Sequence, residues 1–257
     1  MKKYHYNSLT AFYSAAETRS NISDKAQFEH YRDREDNEDF TGLPRAEILK
    51  YKMSYPLGVE KLRHLDDFKV EKETKVQFYD SFDGYDIDID RMINGLDFLI
   101  NEKKVRKLPK TMDIFINVAE GARISYESML NKAYAALKVI DHLETLGVRT
   151  AIFSCISAIP LYANNRKGTP LYVEVAVKNY ADSVNLGALC TAISPWFFRH
   201  WAFLFMAGHN KKLATGLGYS AKLPFEALPK NAITIETGEC HTRTRANFFI
   251  QNLKLVS

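Results

Sequence analysis

From Thr111 onwards the chain alternates short apolar runs with longer segments of helical periodicity, and this alternation restricts the folds that it can adopt. Residues 114–118 form an apolar run that predicts a strand. Residues 125–146 carry apolar side chains at helical spacing and predict a long helix, with Ser125 near its start and Gly147 after its end.

Further strands are predicted at 150–155, 171–178 and 232–236, with a helical block at 185–207 in which Pro195 begins a second helix. Strands separated by helices of this length need crossover connections, which are typical of parallel sheets. We therefore predict an α/β fold with a mostly parallel sheet flanked by helices and covered on both faces.

The N-terminal part of the chain has a different pattern. Residues 7–65 are predicted to be helical and irregular, with a short helix after Pro44. Residues 75–90 alternate apolar and polar side chains on either side of Asp83-Gly84, which predicts a β-hairpin. The predicted organisation is an N-terminal region (1–102), an α/β domain (103–240) and an aromatic C-terminal tail (241–257).

Charge is divided between these regions. Residues 1–102 carry 15 Lys and Arg against 21 Asp and Glu, a net charge of −6, whereas residues 103–257 carry 20 against 10, a net charge of +10. A basic surface with aromatic rings suits single-stranded nucleic acid, because cations neutralise its phosphates and rings stack on its unpaired bases. The alternative is that these cations only solvate the surface.

Composition and cysteine usage indicate a folded cytoplasmic protein. With 46% hydrophobic and 12% aromatic residues, the chain can bury a core. Its apolar runs are shorter than the roughly 18–20 residues that cross a bilayer, and its polar N-terminus predicts no signal segment. Cys155, Cys190 and Cys240 are widely spaced, as expected of reduced thiols.

Sequence motifs for catalysis and cofactor binding are missing. There is no glycine-rich phosphate-binding loop, and no serine or cysteine nucleophile has an identifiable base. The repeat Asp86-x-Asp88-x-Asp90 resembles the start of a calcium loop, but Arg91 stands where glycine is required. The histidines lack metal-ligand spacing. We therefore expect no cofactor, no metal and no enzymatic activity; an enzyme without a recognisable motif is a distant alternative.

The strand–helix–strand unit at 113–155 resembles the opening unit of von Willebrand factor A-type domains. Such domains hold a divalent metal with an Asp-x-Ser-x-Ser motif at the end of the first strand. The corresponding positions here are Asn117, Ala119 and Gly121, which lack the carboxylate and both hydroxyl ligands. The resemblance implies a domain that has lost its metal site. A protein-interaction module without nucleic-acid binding is therefore the alternative function.

A second resemblance covers most of the chain. Four blocks in the same order are similar to the family of single-stranded-DNA-binding RNA polymerase cofactors (Drc) of Schitoviridae bacteriophages: Phe40-Thr-Gly42 with Tyr55-Pro-Leu-Gly58, residues 86–95, residues 116–147, and residues 173–205. The resemblance implies a non-enzymatic phage protein of the host cytoplasm. Such a protein binds single-stranded DNA, assists a phage-encoded RNA polymerase in middle transcription and has a role in DNA replication. A second copy of the chain is a further candidate partner, and no membrane contact is expected.

The resemblance carries over no binding residues, so candidate DNA contacts are chosen from charge and ring placement. The densest basic stretch contains Lys103, Lys104, Arg106, Lys107 and Lys110. Loops at the carboxyl ends of strands, where open α/β sheets bind ligands, contain Arg123, Tyr162, Arg166 and Lys167. A glycine-rich segment that is expected to form a flap contains Lys211, Lys212 and Tyr219. The C-terminal tail contains Arg243, Arg245, Phe248 and Phe249.

Each group also has a purely structural interpretation. The stretch 103–110 would then be a charged connector, and Phe248 and Phe249 would pack onto the domain. Rings in the helical block are expected in the core, with Arg199 and His200 facing outward. These rings are Trp196, Phe197, Trp201, Phe203 and Phe205.

Overall fold

The computed structural model describes residues 1–20, 38–63, 76–80, 82, 86–103, 111–161, 167–209 and 219–253. The chain forms two compact units, Met1–Phe68 with Lys110–Leu253, and Lys69–Pro109 with Lys254–Ser257. This division differs from the predicted boundary at residues 102 and 103, since the N-terminal strand and helices belong to the larger unit.

The described elements follow one another along the chain. They are β1 Lys2–Tyr6, α1 Leu9–Ser20, α2 Glu38–Thr41, α3 Arg45–Lys50, α4 Pro56–Arg63, β2 Val76–Asp80, β3 Asp86–Ile87, α5 Ile89–Ile93, β4 Leu99–Lys103, β5 Thr111–Asn117, α6 Tyr126–Thr145, β6 Arg149–Ile159, β7 Leu171–Lys178, α7 Leu186–Ala192, a π-helical segment Phe197–Ala202, α8 Phe203–His209, β8 Tyr219–Ser220, a 3-10 helix Phe225–Ala227, β9 Ile233–Ile235 and α9 Arg243–Asn252.

A mixed sheet organises the larger unit, with strand order β1-β7-β6-β5-β9 and with β8 paired to β6. β5 is parallel to β6 and β9, and β1 is parallel to β7, whereas β7 and β8 are antiparallel to β6. The predicted α/β fold with a mostly parallel sheet is therefore confirmed. β1 was not predicted, because its five residues carry no aliphatic side chain.

One face of this sheet is covered by helices. The ring of Tyr4 in β1 lies edge-on to Phe205 in α8, with 5.5 Å between centroids. The Ser154 hydroxyl of β6 donates a 2.6 Å hydrogen bond to the main-chain oxygen of Ala192 in α7. Because successive side chains of a strand alternate between faces, the neighbours of these residues point to the opposite face.

The opposite face carries a smaller apolar cluster. Phe115 and Cys155 from neighbouring strands pack there with Tyr172 of β7. Leu223, from the segment between β8 and β9, covers them. We expected helices on both faces of the sheet, but an irregular segment covers this cluster instead.

The long helix agrees with its sequence pattern. α6 begins directly after Ser125, whose hydroxyl accepts a 3.2 Å hydrogen bond from the Ser128 main-chain nitrogen. It ends before Gly147, which has a φ of +78°, a conformation that glycine adopts without steric cost. These contacts confirm both helix boundaries.

Four of the five rings of the aromatic helical block lie in the core, as predicted: Trp196, Phe197, Trp201 and Phe205 are at most 2% exposed, whereas Phe203 is half-buried. The expected outward orientation of Arg199 is wrong, because its guanidinium is buried and donates to two main-chain oxygens. His200 packs edge-on against Trp201, with 5.0 Å between ring centroids. Both residues lie in the π-helical segment, where the wider turn changes which side chains share a face.

The smaller unit corrects the hairpin prediction. β2 and β3 do not pair with each other; each is antiparallel to β4, in the order β2-β4-β3. β3 ends before Asp88, which is the N-cap residue of α5. The Asp88 side chain accepts a 3.1 Å hydrogen bond from Arg91 N. The Asp-rich repeat that resembled a calcium loop therefore supplies a helix cap.

Candidate nucleic-acid interface

The carboxyl ends of three parallel strands lie at one edge of the large sheet. Asn117 of β5 pairs with Cys155 of β6, and Ile116 pairs with Ile235 of β9. Open α/β sheets usually bind ligands at this edge. The loops that leave it carry several of the predicted cations.

Lys167 and Tyr219 lie beside each other where β6 ends. Tyr219 pairs with Ile159, four residues past Cys155, which places it about 13 Å beyond the end of β5. The ring of Tyr219 is 56% exposed, and the Lys167 ammonium lies 5.8 Å from its centroid. An exposed ring beside a cation can stack on a base while the cation neutralises a phosphate.

Arg123 is exposed on the loop that follows β5. The buried Arg199 fixes this loop, since its guanidinium donates to the main-chain oxygen of Ile124. It also donates a 2.5 Å hydrogen bond to the main-chain oxygen of Phe40. A second predicted cation therefore lies at the same sheet edge on an anchored loop.

The predicted C-terminal tail is an ordered helix within residues 241–253. Thr242 starts α9 by accepting a 3.2 Å hydrogen bond from Arg245 N, and Arg243 and Arg245 are exposed in its first turn. The ring of Phe248 is 67% exposed, whereas Phe249 is half-buried. The two arginines and the Phe248 ring are therefore exposed, and Phe249 packs in part onto the protein.

The remaining predicted residues are distributed differently. Lys103 is the last residue of β4 in the smaller unit. The others lie outside the described residues: Lys104, Arg106, Lys107, Lys110, Tyr162, Arg166, Lys211 and Lys212.

A buried clamp at the end of β5 holds the chain that follows Tyr219. The Asn117 side-chain amide donates to the Ala221 main-chain oxygen at 2.8 Å and to Glu236 Oε2 at 3.0 Å. Glu236 Oε1 accepts a 2.9 Å hydrogen bond from Leu223 N. Asn117 therefore fixes the chain segment that follows Tyr219.

A buried ion pair lies next to this clamp. The Lys132 ammonium of α6 donates to the Asn117 main-chain oxygen at 2.8 Å and contacts the Glu120 carboxylate. Glu120 also accepts from Gly238 N at 3.2 Å, which ties the loops after β5 and β9 together. Burial lowers the pKa of Lys132, and Glu120 opposes this shift. His241 Nε2 lies 3.1 Å from Glu120 without hydrogen-bond geometry.

Sequence reasoning missed Lys132, Glu120 and Glu236. The available signal was a single lysine among the apolar positions of α6, where a charge needs a buried partner. Among the described residues, no group of three or more His, Cys, Asp or Glu side chains is arranged to hold a metal ion.

Comparison with known proteins identifies a family. One family model, described as Domain of unknown function (DUF7192), matches residues 1–256. No curated protein and no solved structure matches the chain. Within the described part of the chain, every helix is too short or too polar to cross a bilayer. The family match extends over nearly the whole sequence, and the protein therefore belongs to the DUF7192 family.

Proposed function

We propose that the protein binds single-stranded DNA and acts as a cofactor of a phage-encoded RNA polymerase in middle transcription, with a further role in DNA replication. It works in the host cytoplasm and has no catalytic activity of its own. The observation that carries this proposal is the exposed Tyr219 ring beside Lys167 at the edge where β6 ends. Arg123, Arg243 and Arg245 support it, because they are exposed on chain segments leaving the same edge.

Binding by this edge would depend weakly on sequence and strongly on salt. Ring stacking is possible on every base, and phosphate contacts release counterions. Neither contact requires a metal or a cofactor. The proposal agrees with the net charge of +10 on residues 103–257.

The smaller unit supports the polymerase-binding part of the proposal. In α5 and beside it, Ile89, Ile93 and Leu96 are at least half exposed, and Phe82 is 95% exposed. Exposed aspartates, Asp86, Asp90 and Asp97, accompany these apolar side chains. Small proteins rarely expose such apolar groups unless a partner covers them. A polymerase surface with apolar side chains and a basic rim has the complementary chemistry.

The buried Lys132 favours a second candidate function. Its ammonium lies against the strand end at which von Willebrand A-type domains hold a metal, which suits a protein-interaction module that works without metal. Such a module would bind a protein through the same edge and would have negligible affinity for DNA.

Fluorescence anisotropy with labelled oligo(dT), and with a duplex of equal length, tests the proposal at two salt concentrations. We expect tighter binding to the single strand, because Tyr219 and Phe248 stack only on unpaired bases, at ~1–3 kcal/mol per base. Equal affinity for both would contradict the stacking contribution. No binding to either would leave the protein-interaction function.

A further inference from the structure

An open groove of about 510 Å³ lies where β1 and β7 begin and β6 ends. Its walls are Met1, Lys3 of β1, and residues 223–227 of the segment between β8 and β9. This volume lies within the range of ~300–1,000 Å³ that is typical of small-ligand sites.

The groove and the Lys167–Tyr219 pair belong to one end of the sheet. Lys2 pairs with Leu171, which in turn pairs with Ala158, and Ala158 pairs with Ser220 next to Tyr219. β1 and β8 are therefore three strand spacings apart, about 14 Å. A single extended strand of nucleic acid can reach both places.

The chemistry of the groove matches one nucleotide of such a strand. The Phe225 ring is 51% exposed and offers a face for stacking, while Lys3 is exposed and offers a cation for the adjoining phosphate. The Glu226 carboxylate can accept a hydrogen bond from the amino group of cytosine, adenine or guanine.

The wall that carries Phe225 is fixed in place. Ala221 N donates to the Ser157 main-chain oxygen at 2.9 Å, and the Ser157 hydroxyl donates to the Lys222 main-chain oxygen at 2.8 Å. Leu223 is held by Glu236 and is buried in the apolar cluster of the sheet. A preformed wall loses little conformational entropy when a ligand binds.

We propose that this groove is a base-binding subsite, in which one unstacked base of a single-stranded DNA lies against Phe225 and its phosphate against Lys3. The proposal rests on the proposed DNA-binding function and adds to it a defined place for one base. Tyr219 then receives another base of the same strand, beyond the end of β6.

The test measures anisotropy with a labelled twelve-residue oligo(dC) and with an abasic oligomer of the same length, which keeps the phosphates and lacks the bases. Phe225→Ala should weaken oligo(dC) binding by roughly 5- to 150-fold, the equivalent of ~1–3 kcal/mol, and should leave abasic binding unchanged. Leu57→Ala removes an exposed apolar side chain of the larger unit that does not line the groove, and it should leave both affinities unchanged. Circular dichroism establishes that each variant is folded.

The outcomes separate the subsite from the function. If the wild type binds oligo(dC) and Phe225→Ala binds it equally well, the groove proposal is overturned while DNA binding stands. If Phe225→Ala weakens abasic binding to the same degree, the residue acts through structure and the subsite is also rejected. If the wild type binds neither oligomer, both proposals fall.

Photocrosslinking of 5-iododeoxycytidine oligomers should yield peptides containing residues 223–227, and crosslinks confined to other peptides would argue against the groove.

Discussion

The ammonium of Lys132 lies 2.8 Å from the main-chain oxygen of Asn117, at the carboxyl end of β5. The same nitrogen contacts the carboxylate of Glu120, and both side chains are almost fully buried. The Lys132 ammonium thus provides the positive charge that balances the Glu120 carboxylate. Because it is part of the chain, this cation is present at every metal concentration.

Lys132→Met should destabilise the protein by about 3–5 kcal/mol, because Glu120 would remain as a buried charge without its partner. The double variant Lys132→Met with Glu120→Gln should recover part of this loss, since it removes the unpaired charge. Urea denaturation measures both effects. Lys230→Met, at an exposed position, is the control and should change the free energy of unfolding by less than about 0.5 kcal/mol. If Lys132→Met also changes the free energy of unfolding by less than about 0.5 kcal/mol, the pair of Lys132 and Glu120 does not contribute to stability.

Asn117→Asp introduces a carboxylate where the resemblance to von Willebrand factor A-type domains implies a lost metal ligand, but it should not create a metal site. The change removes the hydrogen bonds donated to Ala221 and Glu236 and puts two carboxylates side by side. We expect a destabilisation of about 2–3 kcal/mol that millimolar Mg²⁺ does not reverse. Thermal melting at constant ionic strength, with Mg²⁺ and with EDTA, measures this effect. The wild type should melt identically in both, and a rise of several degrees with Mg²⁺ in either protein would mean that this strand end binds metal.

Sequence patterns predicted the parts of the fold that depend on neighbouring residues. β5, α6 and β7 have continuous apolar runs or helical periodicity, and Ser125 and Gly147 mark the ends of α6. The antiparallel direction of β7 depends on contacts with β6 across the sheet, and a single strand pattern does not encode direction. β4 has a weak strand pattern, because its sequence, LINEK, carries only two apolar residues. It nevertheless lies between β2 and β3 and pairs with both.

The candidate site was predictable where it depended on exposed charge. Arg123 and Lys167 lie on segments that leave the carboxyl edge of the sheet, as loop positions in an α/β pattern indicate. The clamp between Asn117 and Glu236 joins residues 119 positions apart, so only the folded sheet brings them together. Phe225 follows Pro224 in a segment without periodicity, and its exposure depends on where Leu223 is anchored.

Stability should fall as the pH is lowered from about 6.5 towards 4, partly because of His200. Burial, assisted by the nearby Arg45, lowers the pKa of His200 to about 4, whereas an unfolded histidine titrates near 6.5. In this interval the unfolded chain binds a proton that the folded chain does not, which favours unfolding by up to about 3 kcal/mol. In His200→Phe, which keeps a ring against Trp201, the free energy of unfolding should depend less on pH over this range. Urea titrations at pH 7, 5.5 and 4.5 measure the difference. Parallel pH profiles for both proteins would contradict the assignment.

The exposed aliphatic side chains of α5 in the smaller unit should contribute to polymerase binding and not to DNA binding. Replacing Ile89 and Ile93 together by serine removes two exposed aliphatic side chains without opening a core cavity. We expect unchanged DNA affinity and at least tenfold weaker binding to the phage-encoded RNA polymerase in surface plasmon resonance. The matched control replaces Leu49 and Leu57, exposed aliphatic residues of the larger unit, by serine. Equal polymerase affinity in the two double variants would exclude α5 from the contact.

The salt dependence of DNA binding should identify which basic cluster contacts phosphates. Each lost phosphate contact should flatten the plot of log affinity against log salt by ~0.7 for a single strand. One variant reverses Lys103, Lys104, Arg106 and Lys107, and a second reverses Arg243 and Arg245, the exposed arginines of the first turn of α9. If Arg243 and Arg245 both contact phosphates, the second variant should flatten the slope by about 1.4.

Reversal of Glu35, Asp36 and Glu38 in the acidic region is the matched control, and the affinity of this variant for DNA should be unchanged or slightly higher. Each variant is measured by fluorescence anisotropy after its circular dichroism spectrum is found to match the wild type. Unchanged slopes in both basic variants would remove these residues from the DNA-binding surface, even if the wild type binds single-stranded DNA.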